Sequence, residues 1–358
     1  MSRQESATVT AVVILLLFAA PGFCITTYNN PNDFIVSPGT VFDGVAKLFL
    51  TIGPHSFSCT GALLENGIDV LTAAHCLTGA WGSAVGAGSM RVQFDLPNKV
   101  IVEIAGTSYF VSPAWDGNVL RGGDIGIIRL ESEAPKSIPR YEIHRTADEV
   151  RRVGTMLGYG ISGTGSAGYD EVQYPYGTKR AATNRYDGAG SDIFSNVSDS
   201  VLLFDFDNYT ANQAPQNDFL GSCGSPCDAY PEIPWREGFT SKGDDGGPTF
   251  IDGKITGVHS FVYTAGCPLA AVCSATGAPV SSFGELGGDT RVSAHAAWID
   301  GIAVNLAAAP SQVPEPGTAL LVVFAAFGFA VAQRRLGVRR HCDRSDSASA
   351  VRIASCRR

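Results

Sequence analysis

Charge is scarce in this chain, and what there is lies unevenly. Only 17% of its 358 residues are charged, against 45% hydrophobic, the balance of a folded protein and not of a disordered one. No basic stripe runs through the body. The formal net charge is −8, and residues 334–358 hold eight arginines against two aspartates, a net of +6 that leaves −14 on the rest. An acidic body of this kind argues against nucleic acid as a partner. Long hydrophobic runs are missing too: Ala11–Ala20 and Ala319–Ala332 both fall short of the ~20 residues that span a bilayer. There is no His-Glu-x-x-His pattern, the cysteine spacing is not that of a zinc site, and no repeat of 20–50 residues is apparent, so neither a metal nor another cofactor is expected. The length allows one large or two small domains.

Both short apolar runs sit where targeting segments sit. Arg3 precedes Ala11–Ala20, and Pro21-Gly22-Phe23-Cys24 then gives way to polar residues, the order found in a secretory signal peptide. Cleavage is expected after Cys24, with an uncleaved N-terminal anchor as the alternative. At the other end, Val313-Pro314-Glu315-Pro316-Gly317 precedes the run Ala319–Ala332 and then Gln333-Arg334-Arg335. This arrangement resembles the PEP-CTERM sorting signal of Gram-negative bacteria. The resemblance implies recognition by an exosortase, transient membrane association, removal of the tail, and display on the cell surface or in the extracellular matrix. A plain C-terminal anchor is the alternative, and residues 341–358 extend past the usual basic end of such signals. The expected division is 1–24 signal peptide, 25–307 folded domain, 308–318 linker with the Pro-Glu-Pro box, 319–333 apolar segment and 334–358 basic tail.

Cysteine counting agrees with that processing. Nine is an odd number for an exported protein. Loss of Cys24, Cys342 and Cys356 with the two terminal segments leaves Cys59, Cys76, Cys223, Cys227, Cys267 and Cys273, an even set that reads as disulfides.

Between the termini the pattern is all-β. Short apolar or alternating runs recur at Val45–Ile52, Gly61–Leu64, Asp69–Leu71, Met90–Phe94, Val100–Ile104, Ile125–Leu130, Gly154–Leu157, Ser200–Phe206, Thr249–Ile251 and Ile255–Phe261. Gly, Asn, Asp and Pro punctuate them, as in a sandwich or barrel. Helical periodicity is confined to Val292–Ala307. The Gly-, Ser- and Tyr-rich stretch from Ser162 to Trp235 reads as long surface loops.

Three motifs carry the chemistry. Leu71-Thr72-Ala73-Ala74-His75-Cys76 places a histidine directly after an apolar strand; Gly123-Asp124-Ile125-Gly126-Ile127-Ile128 opens another strand with an aspartate; Gly243-Asp244-Asp245-Gly246-Gly247-Pro248 forms a glycine-rich loop. In this order they resemble the histidine, aspartate and nucleophile motifs of trypsin-like serine proteases. The resemblance implies two six-stranded antiparallel β-barrels with a C-terminal helix, a polypeptide substrate or protein ligand, His75 as general base and Asp124 as its orienter. It also implies Gly243 and residue 245 as oxyanion donors, Ser260 as a partner of Asp124, and a Cys59–Cys76 disulfide. Local pairs Cys223–Cys227 and Cys267–Cys273 are expected as well, since Ser241 stands where the family's bridging cysteine would be. Asp244 matches the aspartate that pairs with a freed N-terminus, and Ile35-Val36 lies near the spacing such a terminus needs, although Ser37-Pro38 replaces the usual Gly-Gly.

The departure is Asp245, where the nucleophilic serine belongs. A carboxylate is a poor nucleophile toward an amide, it repels the oxyanion that must develop, and beside His75 it favours imidazolium and so removes the base. The specificity pocket departs too, with Phe239 or Thr240 at its base and Val262 on a wall where glycine is common. Three readings follow: an inactive or impaired homologue that keeps the peptide site, an active extracellular serine endopeptidase, or a surface or matrix binding or structural protein.

Overall fold

The computed structural model describes residues 25–79, 86–208, 220, 236–263 and 280–308. Both terminal segments, and Cys24, Cys223, Cys227, Cys267, Cys273, Cys342 and Cys356, lie outside those residues. Among the described residues, no helix is long and apolar enough to cross a membrane.

The chain opens with β1 (Thr26–Thr27) and then builds a closed antiparallel barrel from β2 (Val45–Ile52), β3 (His55–Leu63), β4 (Asp69–Thr72), β5 (Ser89–Leu96), β6 (Val100–Val111) and β7 (Gly126–Leu130). Alternation in β2 turns Leu48, Leu50 and Ile52 inward, and Leu48 and Leu50 join Val70, Leu71, Val92, Phe94 and Ile127 in one core. Cys59 of β3 is disulfide-bonded to Cys76 across 17 residues, a closed loop of the size that contributes about 3 kcal/mol. The bond ties the short helix α1 (Ala74–Thr78) to the barrel wall.

The second half holds β8 (Val153–Gly158), β9 (Gly163–Thr164), β10 (Gly168–Tyr169), β11 (Arg180–Arg185), β12 (Gly188–Ala189), helix α2 (Gly190–Ile193), β13 (Val201–Asp205), β14 (Gly238–Phe239), β15 (Pro248–Ile251), β16 (Lys254–Tyr263) and β17 (Leu286–Arg291). A 3₁₀ turn, Val292–His295, leads into the C-terminal helix α3 (Ala296–Ala308). Seven of these strands form one antiparallel sheet in the order β11-β8-β15-β16-β17-β13-β12, and the short β10, β9, β1 and β14 form a mixed sheet in which β1 and β9 are parallel. The expected second closed barrel is therefore a half-barrel among the described residues. A side chain spans the open seam: the Asn184 amide on β11 donates to the carbonyls of Asp205 on β13 and Gly238 on β14, at 2.8 and 3.0 Å. Hydrogen-bonding groups that a backbone ladder would use are satisfied by one buried amide instead.

The stretch Ser162–Trp235 also differs from the loop reading. It contributes β9 to β12 besides the expected strand β13, and Lys179, Arg180, Asn184 and Asp187 along it are buried. Polar residues on and beside β11 line an interior, so hydrophobicity alone could not mark that strand.

Candidate active site

β4 runs apolar and extended up to Thr72, and α1 begins two residues later with His75 in its first turn. Helix α1 can sit this close to β7 because position 126 is glycine; a Cβ there would lie 2.6 Å from Leu77 Cδ1. His75 is thereby delivered to Asp124, which is fully buried just ahead of β7. The backbone N–H of His75 donates to Asp124 Oδ1 at 2.8 Å, and Nδ1 lies 2.7 Å from Oδ2. Facing a carboxylate, Nδ1 carries the proton, and Nε2 points away from Asp124. Ser260 donates its hydroxyl to the same Oδ2 at 2.6 Å, and Thr290 donates to the Asp124 carbonyl.

The loop before β15 brings Asp245 to the other side of the imidazole. Its Oδ1 is 3.7 Å from His75 Nε2, with the two side chains 21% and 31% exposed, so solvent reaches the pair. Its Oδ2 accepts from the Gly243 N–H at 3.2 Å. Burial pulls His75 down, but the charge and hydrogen bond of Asp124 and the charge of Asp245 outweigh it and raise the imidazole to about 9. His75 is thus an imidazolium at neutral pH.

Glycine is required at two places in this loop. Gly243 has φ +91° and Gly246 φ +80°, and a Cβ at Gly246 would lie 2.0 Å from Thr72 Oγ1 and 2.5 Å from the Thr60 carbonyl. Thr60 grips the loop from the first barrel: its N–H donates to the Asp245 carbonyl at 2.9 Å and its hydroxyl to the Gly243 carbonyl at 2.8 Å. The strand reading gave no reason to single out Thr60; a threonine beside Cys59, buried in a wall of otherwise apolar residues, was the only signal.

Asp244 faces the opposite way. It is fully buried, and its oxygens accept from the Ser241 and Gly160 amides at 3.0 and 3.2 Å. Burial, with the charge of Asp245 adding to it, pushes its carboxyl well up against those amides and the more distant Arg180. Ile35, whose spacing suits a freed terminus, is itself exposed and forms an isolated backbone bridge with the buried Arg180. Near the expected pocket base, Phe239 is fully buried and stacked on Phe206, with ring centroids 5.4 Å apart. It belongs to the core of the half-barrel, leaving Thr240 and Ser241 as the polar residues beside it. Beyond Ser260, β16 continues through Phe261 and Tyr263, which with Leu120, Val197 and Leu286 line a cavity of about 150 Å³.

A second histidine–aspartate pair, unforeseen in the sequence, lies behind the loop. His259 Nδ1 is 2.9 Å from Asp289 Oδ1, while Tyr186 and Thr249 donate hydroxyls to Asp289 Oδ2 at 2.6 and 2.7 Å.

Residues 40–213 match the family model described as Trypsin, a stretch that contains His75 and Asp124 and ends before Asp245. No curated protein matches the chain. Among solved structures, one described as HL collagenase is similar at 19% identity, covering 75% of this chain and 96% of that one with a TM-score of 0.48. The match takes in the closed barrel that supplies His75 and Asp124 and runs on through β8–β13 of the second half, so over residues 40–213 the chain is similar to trypsin-like serine protease domains.

Proposed function

We propose that this chain is an exported trypsin-like protein that recognises polypeptide and does not cleave it. One observation carries the reading: the Asp245 carboxylate stands at once against His75 Nε2 and on the Gly243 N–H. Peptide hydrolysis by the family mechanism needs a hydroxyl whose proton passes to a neutral imidazole, and free amides facing the developing oxyanion. Here the hydroxyl is replaced, the imidazole is already protonated, and an amide is occupied by a fixed anion. Attack by a carboxylate on an amide would give a mixed anhydride, a poorer intermediate than an ester. Loss of the nucleophile in a serine protease that uses the same triad costs about a million-fold in turnover.

What remains is suited to binding. His75, Asp124 and Ser260 keep a rigid hydrogen-bonded frame, and the cavity behind Phe261 and Tyr263 offers an apolar seat next to it. In this reading His75, Asp124, Gly243 and Asp245 keep the positions of base, orienter and oxyanion donors without performing those roles. The partner is a polypeptide, no cofactor or metal takes part, and nucleic acid is not a ligand. Residues 1–24 direct export. The Pro-Glu-Pro box with its apolar run hands the chain to an exosortase after transient membrane association, placing it on the cell surface or outside it. Labelling by a fluorophosphonate, compared between the natural protein and Asp245→Ser, tests the catalytic half of this proposal.

A further inference from the structure

His295 closes the 3₁₀ turn ahead of α3, outside the candidate site, and is 7% exposed. Both of its ring nitrogens are engaged. Nε2 lies 2.7 Å from the Gly122 carbonyl, and Nδ1 lies 3.2 Å from the hydroxyl of the buried Ser112. A carbonyl only accepts, so the proton facing it is on Nε2. Burial holds the imidazole below its ordinary value against the pull of the Gly122 bond, so the ring is neutral at neutral pH. With its one proton on Nε2 it can only accept at Nδ1, and Ser112 is the donor. The Ser112 oxygen in turn accepts the Ala114 N–H at 3.2 Å. The bonds therefore run in one direction, from Ala114 through Ser112 and His295 to Gly122.

The two ends of that relay enclose Asp124. Gly122 stands two residues before it, in the left-handed region at φ +69°. Gly123, between them, is pressed against the turn at 112–115: a Cβ there would lie 2.3 Å from the Ala114 carbonyl oxygen. Just beyond Asp124, the Ile125 carbonyl accepts the Ser112 N–H at 3.0 Å. The same turn reaches the helix that carries His75, since Trp115 Nε1 donates to Thr78 Oγ1 at 3.0 Å. Ser260 and Thr290 hold Asp124 itself; His295 and Ser112 hold the backbone on either side of it. An orienting carboxylate works through its direction, and that direction is fixed by groups that never touch the ring it serves.

We propose that His295 is a positioning residue for the Asp124–His75 pair: it locks the backbone at 122–124 against the Ser112 turn and so keeps the Asp124 carboxylate on His75 Nδ1. The role concerns the resting pair, so it goes beyond the peptide-binding reading and does not depend on it.

Histidine NMR of the full-length protein, with no peptide added, reads the role. His75 should titrate near 9 in the natural protein. In His295→Phe, which keeps a ring and loses both bonds, it should fall to about 8 or lower, because a loosened Asp124 raises it less. His295→Gln places an amide N–H near the position of Nε2, and with the Gly122 bond kept His75 should titrate close to its natural value. Urea unfolding of each variant is followed alongside. A His295 that only stabilises the fold would lower the urea midpoint in His295→Phe and leave the titration of His75 unchanged, and that result overturns the proposal. A fall of equal size in His295→Gln overturns it as well. Where His295→Phe fails to fold, Ser112→Ala decides in its place: it breaks the bond at Nδ1 and should also bring His75 below the natural value, and an unchanged His75 there overturns the proposal.

Discussion

Asp245 Oδ1 lies 3.7 Å from Nε2 of His75, on the side from which an activated hydroxyl would hand over its proton. The second oxygen of the same carboxylate holds the Gly243 amide. One side chain thus engages His75 and the Gly243 amide together. The interaction is electrostatically favourable in the resting protein, since it pairs an anion with an imidazolium, and that is why it opposes turnover.

The ionisation of His75 is held up chiefly by Asp124, with Asp245 adding to it. Its imidazole should titrate near 9 in the natural protein, and Asp245→Asn should lower that value while Asp124 keeps it from falling all the way to 6.5. Because the folded value lies above the ordinary one, the stability His75 contributes is fully present below about 6.5 and is lost as pH rises through about 9. Histidine NMR across pH 5–11 reads it; an unchanged titration in Asp245→Asn would show that Asp245 exerts no field on the ring.

The loop conformation depends on Gly246. Alanine there must adopt φ +80° and push its Cβ into Thr72 Oγ1 and the Thr60 carbonyl. Gly246→Ala should cost roughly 2 kcal/mol or more in urea unfolding. A loss under ~0.5 kcal/mol, the range of ordinary surface changes, would mean that Thr60 and Thr72 do not clamp the loop as described.

The half-barrel seam rests on Asn184. Replacement by alanine removes the amide donor to the Asp205 and Gly238 carbonyls and should destabilise by roughly 1–3 kcal/mol. Asn184→Asp, which keeps the size and loses the donor, should cost at least as much. Near-neutral behaviour of both would assign the seam to other contacts.

These elements show what a sequence does and does not reveal. β2 was legible to the residue because Leu48, Leu50 and Ile52 alternate with less buried positions. His75 and Asp124 were legible because each sits in a motif of several residues around one side chain. β11, Arg-Ala-Ala-Thr-Asn-Arg, and β17, Leu-Gly-Gly-Asp-Thr-Arg, carried no apolar alternation. Their interior faces are polar, with Arg180, Asn184 and Asp289 paired by hydrogen bonds formed only in the fold. The same holds for His259, which reads as one polar residue in an apolar strand until Asp289, 30 residues away, is placed beside it.

Export is tested apart from the fold. Residues 313–340 moved onto an unrelated secreted reporter should be processed in a host that has an exosortase and left intact in one that lacks it. An intact tail in both hosts would identify the segment as an anchor only.

The central claim is tested most directly by fluorophosphonate labelling of three proteins. The natural protein should show no labelling and no hydrolysis of peptide esters. Asp245→Ser should gain labelling and at least weak esterase activity, because His75, Asp124, Ser260 and the Gly243 amide are already in position. Adding His75→Ala to that variant should abolish the gain. Robust labelling and proteolysis by the natural protein, lost on His75→Ala, would contradict the account.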